Sequence, residues 1–319
     1  MRRLRDVGEH GWIARLLRRL AAAPPDRRVL VGPGDDAAVV RAGRRPLLLT
    51  TDTLVEGVHF RPGWLGPAAL GARAFAVNAS DIAAMGGVPT FALVALEAPA
   101  STPATTLDML VGGLAAAAQR AGARLVGGNL ARGPHLAVTV ALLGEAPGRV
   151  VTRAGARPGD LLYVTGVLGA TGTAVRRLAA GGRGRLPAPP LRTRAGLLLA
   201  RVAHAMIDLS DGLVQDLGHL CRASGVAAEI ALARLPVAAA CRRALGAAAP
   251  AFAAAAGEDY ELVFAVPPAR VRVLERLRPR LRCRLTPIGR VVAGRPAVRL
   301  LDARGRPVRL GHGGFDHFR

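Results

Sequence analysis

Several carboxylates of this chain lie among small polar residues at the ends of apolar segments, where side chains can do chemistry. The acidic residues flanked there by Gly, Ser, Thr or Asn are Asp35, Asp36, Asp52, Asp81, Asp208, Asp211, Glu258 and Asp259. In α/β proteins ligands bind beyond the ends of the strands, so we expect these carboxylates to converge. Converging carboxylates repel one another unless a cation lies between them, and oxygen ligands suit a hard ion such as Mg²⁺. The pattern therefore predicts a metal-dependent enzyme with a phosphate-bearing substrate.

Each of these motifs also has a purely structural interpretation. Asp208 or Ser210 could cap a helix, and Asp81 could close a turn. The pair Gly127-Gly128 follows a predicted strand and could form either a tight turn or a backbone that approaches phosphate oxygens. Taken singly, the motifs leave both interpretations open. Their number in one chain favours the functional one.

The composition excludes some classes of enzyme. The 319 residues include no lysine, so all 44 basic side chains are arginine, and the net charge is +22. Without lysine neither a Walker-type phosphate loop nor a Schiff-base enzyme can be built. The arginines are spread along the chain and aromatic residues make up only 3%. Nucleic-acid binders concentrate charge beside stacking aromatics, so nucleic-acid binding is disfavoured.

The cysteines and the hydropathy pattern bear on the compartment. Cys221, Cys241 and Cys283 are odd in number, widely spaced and outside any C-x-x-C pattern, which predicts neither a disulfide framework nor a zinc site. No stretch is long and apolar enough to span a membrane. The arginine-rich N-terminus lacks the apolar region of a signal peptide. We therefore expect a cytoplasmic protein that makes no contact with a membrane.

Short apolar runs that end in turns predict strands, and apolar residues at helical spacing predict helices. In the first half we expect strands at 28–31, 47–49, 90–97, 124–126 and 137–143, and helices at 11–20, 68–84 and 106–121. In the second half we expect strands at 161–165, 205–207, 229–231 and 260–266, and helices at 169–180, 212–224 and up to about 203, with an arginine-rich helix and strands after 266. A turn-rich stretch near 148 predicts two domains of mixed α/β (α+β) character, 1–148 and 149–319.

Taken in order along the chain, the polar motifs resemble those of a known family. They are GPGDDAA at 32–38, TTDTLVEGVHF at 50–60, NASDIAAMGG at 78–87, VGGN at 126–129, TRAGARPGD at 152–160, IDLSDGL at 207–213, GEDYEL at 257–262 and GFDHF at 314–318. In this order and spacing they closely resemble the thiamine-monophosphate kinases of the aminoimidazole-ribonucleotide-synthetase-like superfamily. The resemblance extends from about residue 6 to 318, and eight motifs in order are far more specific than any one of them.

The resemblance implies an enzyme that transfers the γ-phosphoryl group of ATP to thiamine monophosphate, giving thiamine diphosphate with the help of several Mg²⁺ ions. It also implies a two-domain fold in which the N-terminal domain forms a β-barrel across a homodimer. The C-terminal α/β domain would complete the ATP and substrate site. Because the acceptor phosphate is already ionised at neutral pH, we expect no residue to act as a general base.

Carried over position by position, the resemblance implies three sets of site residues. The metal ligands would be Asp36, Thr50, Thr51, Asp52, Asp81, Asn129, Asp208 and Asp211; Gly127, Gly128, Arg153 and Ser210 would hold ATP; His59, Glu258 and Phe315 would hold thiamine monophosphate. The family commonly has aspartate where Asn129 stands, so one metal contact would lack its charge. Two alternatives stay open, namely another ATP-using member of the superfamily and a basic nucleic-acid-binding protein built on this scaffold.

Overall fold

The first of two β-sheets contains strands from the N-terminal half of the chain. The computed structural model describes residues 29–31, 35–41 and 45–310. The sheet has the spatial order β1-β2-β3-β6-β4-β5, with β1 at Val29–Val31, β2 at Ala38–Arg41, β3 at Pro46–Val55, β4 at Val88–Ala98, β5 at Arg124–Arg132 and β6 at Ala137–Glu145. The β4–β5 pair is parallel and the other neighbours are antiparallel. Over these residues the sheet is open and does not close on itself. A barrel shared by two chains remains a prediction.

The second sheet contains strands from the C-terminal half. Its spatial order is β13-β12-β9-β11-β7-β10-β8, with β7 at Leu161–Thr165, β8 at Ala205–Asp208, β9 at Ala227–Ala231, β10 at Leu262–Val266, β11 at Leu285–Val292, β12 at Ala297–Leu301 and β13 at Pro307–Val308. The β9–β12 pair is parallel and the remaining pairs are antiparallel. Both halves are therefore mixed α/β, as predicted.

The helices that pack on these sheets are α1 at Pro67–Ala84, α2 at Ala104–Arg120, α3 at Ala170–Ala179, α4 at Thr193–Leu199, α5 at Leu213–Ser224, α6 at Ala239–Leu245, α7 at Ala249–Ala255 and α8 at Val271–Leu281. The bounds of α1 follow from its sequence. Proline occupies the first helical position, where its missing N–H costs nothing. Just beyond the helix, Gly86 adopts the left-handed conformation that closes the C-terminus, with φ +73°.

Helix α1 lies where the two halves meet. It packs against α2, β3 and β6 of the first half, and against α4 and β8 of the second. Near its end, Ala83 and Ala84 belong to the same buried cluster as Tyr163 and Phe264 of the second sheet. The last turn of α1 is therefore held between two hydrophobic layers, which fixes the position of any side chain that it carries.

Among the described residues, the first sheet exposes an apolar face on the side away from α1 and α2. Along β4, buried and exposed side chains alternate. Phe91 and Leu93 on β4 and Val126 on β5 are exposed large hydrophobic side chains of the described chain. We call these three residues the outer face. Patches of this kind mark interaction surfaces.

Several elements differ from the sequence predictions. The predicted strand 124–126 continues to Arg132 through Gly127 and Gly128, and the strand expected from 260 begins at Leu262. The helix expected to reach about 203 ends at Leu199, and the run containing α6 and α7 was not predicted as helical, because alanines give no contrast between buried and exposed positions. The predicted helix at 11–20 lies outside the described residues. Across 29–31, 35–41 and 45–310, no helix is long and apolar enough to cross a bilayer.

Candidate active site

Three carboxylates meet at the junction between the two halves. Asp36 precedes β2, Asp81 lies in the last turn of α1, and Asp208 is the last residue of β8. One oxygen of each lies within 4.8 Å of the others. The Thr50 hydroxyl on β3 donates a hydrogen bond of 2.6 Å to Asp81 Oδ2, which orients that carboxylate. We call Asp36, Asp81 and Asp208 the acidic cluster.

The electrostatics of the acidic cluster call for a cation. Burial raises the pKa of Asp36 to about 7, and burial together with the charge of Asp208 raises the pKa of Asp81 well above its ordinary value. Asp36 Oδ2 is buried without a hydrogen-bond partner among the described residues. An oxygen-only donor set with such an atom fits a hard divalent cation, whose binding would displace the protons that burial retains.

Arg153 supplies the positive charge on one side of the acidic cluster. Its Nη2 donates a 2.8 Å hydrogen bond to Asp36 Oδ1, and its backbone N–H donates to Asp35 Oδ2 at 3.1 Å. The side chains of Arg153 and Asp36 are both largely buried. The loop before β7 is thereby attached to the turn before β2, and these two loops belong to different halves of the chain.

A cavity of about 500 Å³ opens beside the acidic cluster. Its lining residues include Asp52, Leu54, Gly57, Val58, His59, Arg61, Trp64, Gly172, Val175, Ala179, Ser210, Asp211, Gly257, Glu258 and Tyr260. The backbone N–H of Val55 donates to His59 Nδ1 at 3.0 Å, so the neutral ring carries its proton on Nε2. The guanidinium of Arg61 lies 5.6 Å from the Trp64 ring centroid. The wall thus combines carboxylates with an aromatic surface, and the volume is typical of a small-molecule site.

The segment 257–261 forms part of the cavity wall and is held by its neighbours. The backbone N–H of Glu258 donates to the Ser210 carbonyl at 2.6 Å. Asp259 Oδ2 accepts a 2.7 Å hydrogen bond from the N–H of Gly169, at the start of α3. Glu261 forms a bidentate pair with Arg192, both bonds being 2.6 Å. The side chains of Asp259 and Glu261 therefore attach this segment to different elements.

The structure brings most of the predicted site residues together. Those at the acidic cluster or in the cavity wall are Asp36, Thr50, Asp52, His59, Asp81, Arg153, Asp208, Ser210, Asp211 and Glu258. Asp259, an acid that sequence analysis grouped with them, instead caps α3. Phe315 lies outside the described residues.

Four predicted residues lie apart from the acidic cluster in this chain. Gly128 and Asn129 line a shallow depression on β5, three strands from β3, which is about 14 Å at the usual strand spacing. Thr51 is exposed and points away from Thr50, because side chains alternate along a strand. Gly127 and Gly128 lie within β5 and do not form the tight turn that was one of the two interpretations of this pair. A Cβ atom at Gly128 would overlap the Val94 carbonyl oxygen, so glycine is required there for close strand pairing.

Some residues of the site were not predicted, because their importance depends on contacts distant in sequence. Trp64 lines the cavity, but an isolated tryptophan carries no motif. Asp216 Oδ2 accepts the N–H groups of Asp211 at 3.1 Å and Gly212 at 3.0 Å, which holds the turn after Asp208. An acid in the first turn of a helix is a signal of such a role, although it does not identify the partner.

The fold and the junction site define the class of this protein. The family models for AIR synthase related protein match it in two parts, the N-terminal domain at residues 34–146 and the C-terminal domain at 157–300. Within that class, the chain belongs to the thiamine-monophosphate kinase family, which confirms the resemblance seen in the sequence.

Individual relatives support this membership over most of the chain. The thiamine-monophosphate kinase of Escherichia coli O157:H7 is 38% identical over 327 residues, with 98% of each chain covered. That of Mycobacterium tuberculosis (strain CDC 1551 / Oshkosh) is 40% identical over 276 residues, covering 82% of this chain and 81% of the relative. The solved structure of AaThiL complexed with AMPPCP and TMP is 32% identical, has a TM-score of 0.85 and covers 99% of each chain.

Proposed function

We propose that this chain transfers the γ-phosphoryl group of ATP directly to thiamine monophosphate, forming thiamine diphosphate. The observation that carries this proposal is the acidic cluster beside a small-molecule cavity, in a chain of the thiamine-monophosphate kinase family. A similar protein has been solved with AMPPCP and TMP, a pair that corresponds to the proposed donor and acceptor.

The chain's own residues suit this chemistry. Phosphoryl transfer passes through a loose transition state, so the enzyme mainly positions the two substrates and offsets their charge. Arg153 lies beside the acidic cluster and Ser210 lies in the cavity wall, and we assign both to the ATP side of the site. The acceptor phosphate is already ionised, so no general base is required.

Asp36, Asp81 and Asp208 would hold divalent cations, with Asp52 and Asp211 close by in the cavity wall. Mg²⁺ held by these carboxylates would supply positive charge that offsets the negative charge of the phosphates during the transfer. The requirement for several Mg²⁺ ions belongs to the proposal. The metal contacts of Thr51 and Asn129 and the ATP contacts of the Gly127-Gly128 pair also remain proposals. In this chain these residues lie on the first sheet, away from the acidic cluster.

The cavity is proposed as the acceptor site. Its volume suits a small organic phosphate, and Trp64 offers an aromatic face to the pyrimidine ring or the cationic thiazolium ring. His59 and Glu258 line the same cavity and keep their proposed contacts with thiamine monophosphate. The contact proposed for Phe315 rests on the resemblance alone.

We further propose that the protein is a homodimer in which two first sheets pair into a barrel. The outer face supports this arrangement, because an uncovered apolar sheet surface is an aggregation hazard unless a partner covers it. Closed two-fold symmetry is the commonest way to cover such a face.

The domain division and the cellular location are also proposals. The division at 148 is supported by the sheets, since β6 ends at Glu145 and β7 begins at Leu161. The cytoplasmic location is supported by Cys221, Cys241 and Cys283, which all carry free thiols as a reducing compartment would keep them.

The test of the proposed function is product formation by the purified chain. With ATP, Mg²⁺ and thiamine monophosphate, chromatography is expected to resolve thiamine diphosphate and ADP in equal amounts. Thiamine without its phosphate should give no diphosphate, and excess chelator should abolish turnover. Turnover in excess chelator would contradict the metal-dependent mechanism, and salt-sensitive nucleic-acid binding without turnover would favour the alternative class.

A further inference from the structure

Arg73 is a buried cation close to the cavity. It lies on α1, about two helical turns before Asp81, and it is only 2% exposed. A charged side chain is retained in such a place only when other groups compensate its lost hydration. Its partners therefore indicate what it does.

Residues of two other segments meet at the Arg73 guanidinium. Nη1 donates a 3.0 Å hydrogen bond to the carbonyl of Pro187, in the Gly- and Arg-rich loop at 181–190. Nη2 lies 3.1 Å from Glu258 Oε1. The guanidinium carbon lies 5.9 Å from the centroid of the Tyr260 ring, within the range of a cation–π contact.

The backbone at two of these contacts is strained. Glu258 has φ +65° and Tyr260 has φ +49°, left-handed conformations that residues other than glycine seldom adopt. Such conformations persist only where the surrounding structure holds them. Arg73 contacts the side chains of both strained residues, so it helps to keep the segment in this shape.

Both strained residues line the cavity, whereas Arg73 contacts them from outside the lining that the structure describes. We propose that Arg73 is a positioning residue for the phosphate acceptor, acting through the carboxylate of Glu258 and the ring of Tyr260. This assignment rests on the proposed function. Arg73 touches no substrate.

Charge gives Arg73 a second effect on the acceptor. The cavity wall already carries Asp52 and Asp211, and the acceptor is itself an anion. An uncompensated Glu258 would add a further repulsive charge to that wall. With Arg73 beside it, Glu258 can contact the acceptor's polar groups at a smaller electrostatic cost.

The experiment compares Arg73→Met, which removes the charge and the donors, with Arg73→Lys, which keeps the charge. Arg73→Met should raise the KM for thiamine monophosphate roughly tenfold or more, while the KM for ATP changes less than about twofold. Arg73→Lys should recover part of the loss. Arg192→Met is the matched control, because it removes another largely buried arginine that pairs with Glu261 in the same segment. At equal folded fraction it should change the acceptor KM much less.

A double-mutant cycle tests whether Arg73 acts through Glu258. In a Glu258→Gln background, replacing Arg73 should raise the acceptor KM by a clearly smaller factor than in the wild type, because only the contact with Tyr260 then remains to be lost. If Arg73→Met fails to fold, Arg73→Lys in the same cycle decides the question.

If the wild type is active, each of four results would overturn the assignment. They are equal shifts of the two KM values, an unchanged acceptor KM, an effect of Arg192→Met as large as that of Arg73→Met, and additive effects of the Arg73 and Glu258 substitutions. A wild-type chain that forms no thiamine diphosphate would overturn the proposed function first, and the Arg73 assignment with it.

Discussion

The two sheets of this protein are covered in different ways. All five residues of β10, in the second sheet, are buried. Val263 and Ala265 pack into one hydrophobic cluster, whereas Phe264 packs into another on the opposite face of the sheet. Along β4, in the first sheet, buried residues alternate with exposed ones such as Phe91 and Leu93. Among the described residues, the second sheet therefore has two covered faces, and the first sheet has only one.

This difference indicates where the site obtains its rigidity. Asp208 ends β8, which pairs with the fully buried β10, while Asp81 lies on the helix that covers the inner face of the first sheet. The acidic cluster thus forms between well-packed layers. The outer face takes no part in the cluster, and the part of the chain that the structure describes leaves it exposed.

The largest effect is expected where the two halves meet. Asp81→Asn removes one charge from the acidic cluster while nearly preserving its shape, and we expect turnover to fall roughly 10³-fold, which is about 4 kcal/mol of transition-state stabilisation. Steady-state kinetics at saturating substrates measures it. Asp108→Asn, an exposed change on α2, is the control and should retain turnover. Similar rates for the two variants would remove the acidic cluster from the mechanism.

The next largest effect is expected from truncating a buried side chain of the second sheet, and it concerns the free energy of unfolding. Phe264 is 0% exposed and stacks on Tyr163 with ring centroids 5.8 Å apart. Phe264→Ala should lower the free energy of unfolding by about 3–5 kcal/mol because it leaves a cavity. Urea denaturation measures the loss. Phe91→Ala, at a position 48% exposed, should cost far less at low protein concentration. Equal costs would refute the contrast between the sheets.

Association is expected to depend on the outer face. Light scattering of the wild type should give about twice the chain mass of 33.0 kDa. Leu93→Asp puts a charge on the outer face and should shift the protein to the monomer, because the carboxylate would have to be buried on pairing. Val273→Asp on α8 is matched, since Leu93 and Val273 are both 44% exposed, and it should leave the mass unchanged. A Leu93→Asp dimer, or a monomeric wild type, would contradict the proposed arrangement.

A smaller effect concerns the cap of α3. Burial raises the pKa of Asp259 to about 7, although the N–H of Gly169 opposes the shift. From about pH 4 to 7 the folded state then holds a proton that the unfolded state lacks, so this contribution to stability is complete below pH 4 and lost as pH rises through 7. Between pH 5 and 8 the wild type should lose on the order of 2 kcal/mol more unfolding free energy than Asp259→Asn does. Parallel pH profiles from urea melts would rule out the titration.

Residues that mark the ends of helices and strands made part of the fold predictable. Helix α1 lies within one residue of its predicted bounds because Pro67 and Gly86 mark its ends, and β7 was predicted in full as an apolar run between polar turns. The face of a sheet on which a side chain lies, and the strand with which it pairs, were not predictable. The pair Gly127-Gly128 suggests a turn in isolation, and only the close approach of β4 explains its place within a strand.

The candidate site was likewise predictable only in part. The carboxylate-rich motifs were visible, and their position at strand ends predicted that they converge, although Asp52 lies within β3 and Asp81 within α1. No periodicity shows that Asp36, Asp81 and Asp208 in particular lie within 4.8 Å of one another. Arg73 and Asp216 carry no motif of their own, because their importance arises from contacts with side chains or backbone that only the folded chain brings near.

The segment 257–261 has a consequence for recombining this protein with its relatives. Asp259 and Glu261, two residues apart, hold different elements, so a one-residue insertion or deletion between or before them would move side chains away from their partners. Chimeras should therefore place their crossovers outside 257–261 and keep its length constant. Residues 181–185, which are all exposed, are the place where chimeras can differ in length.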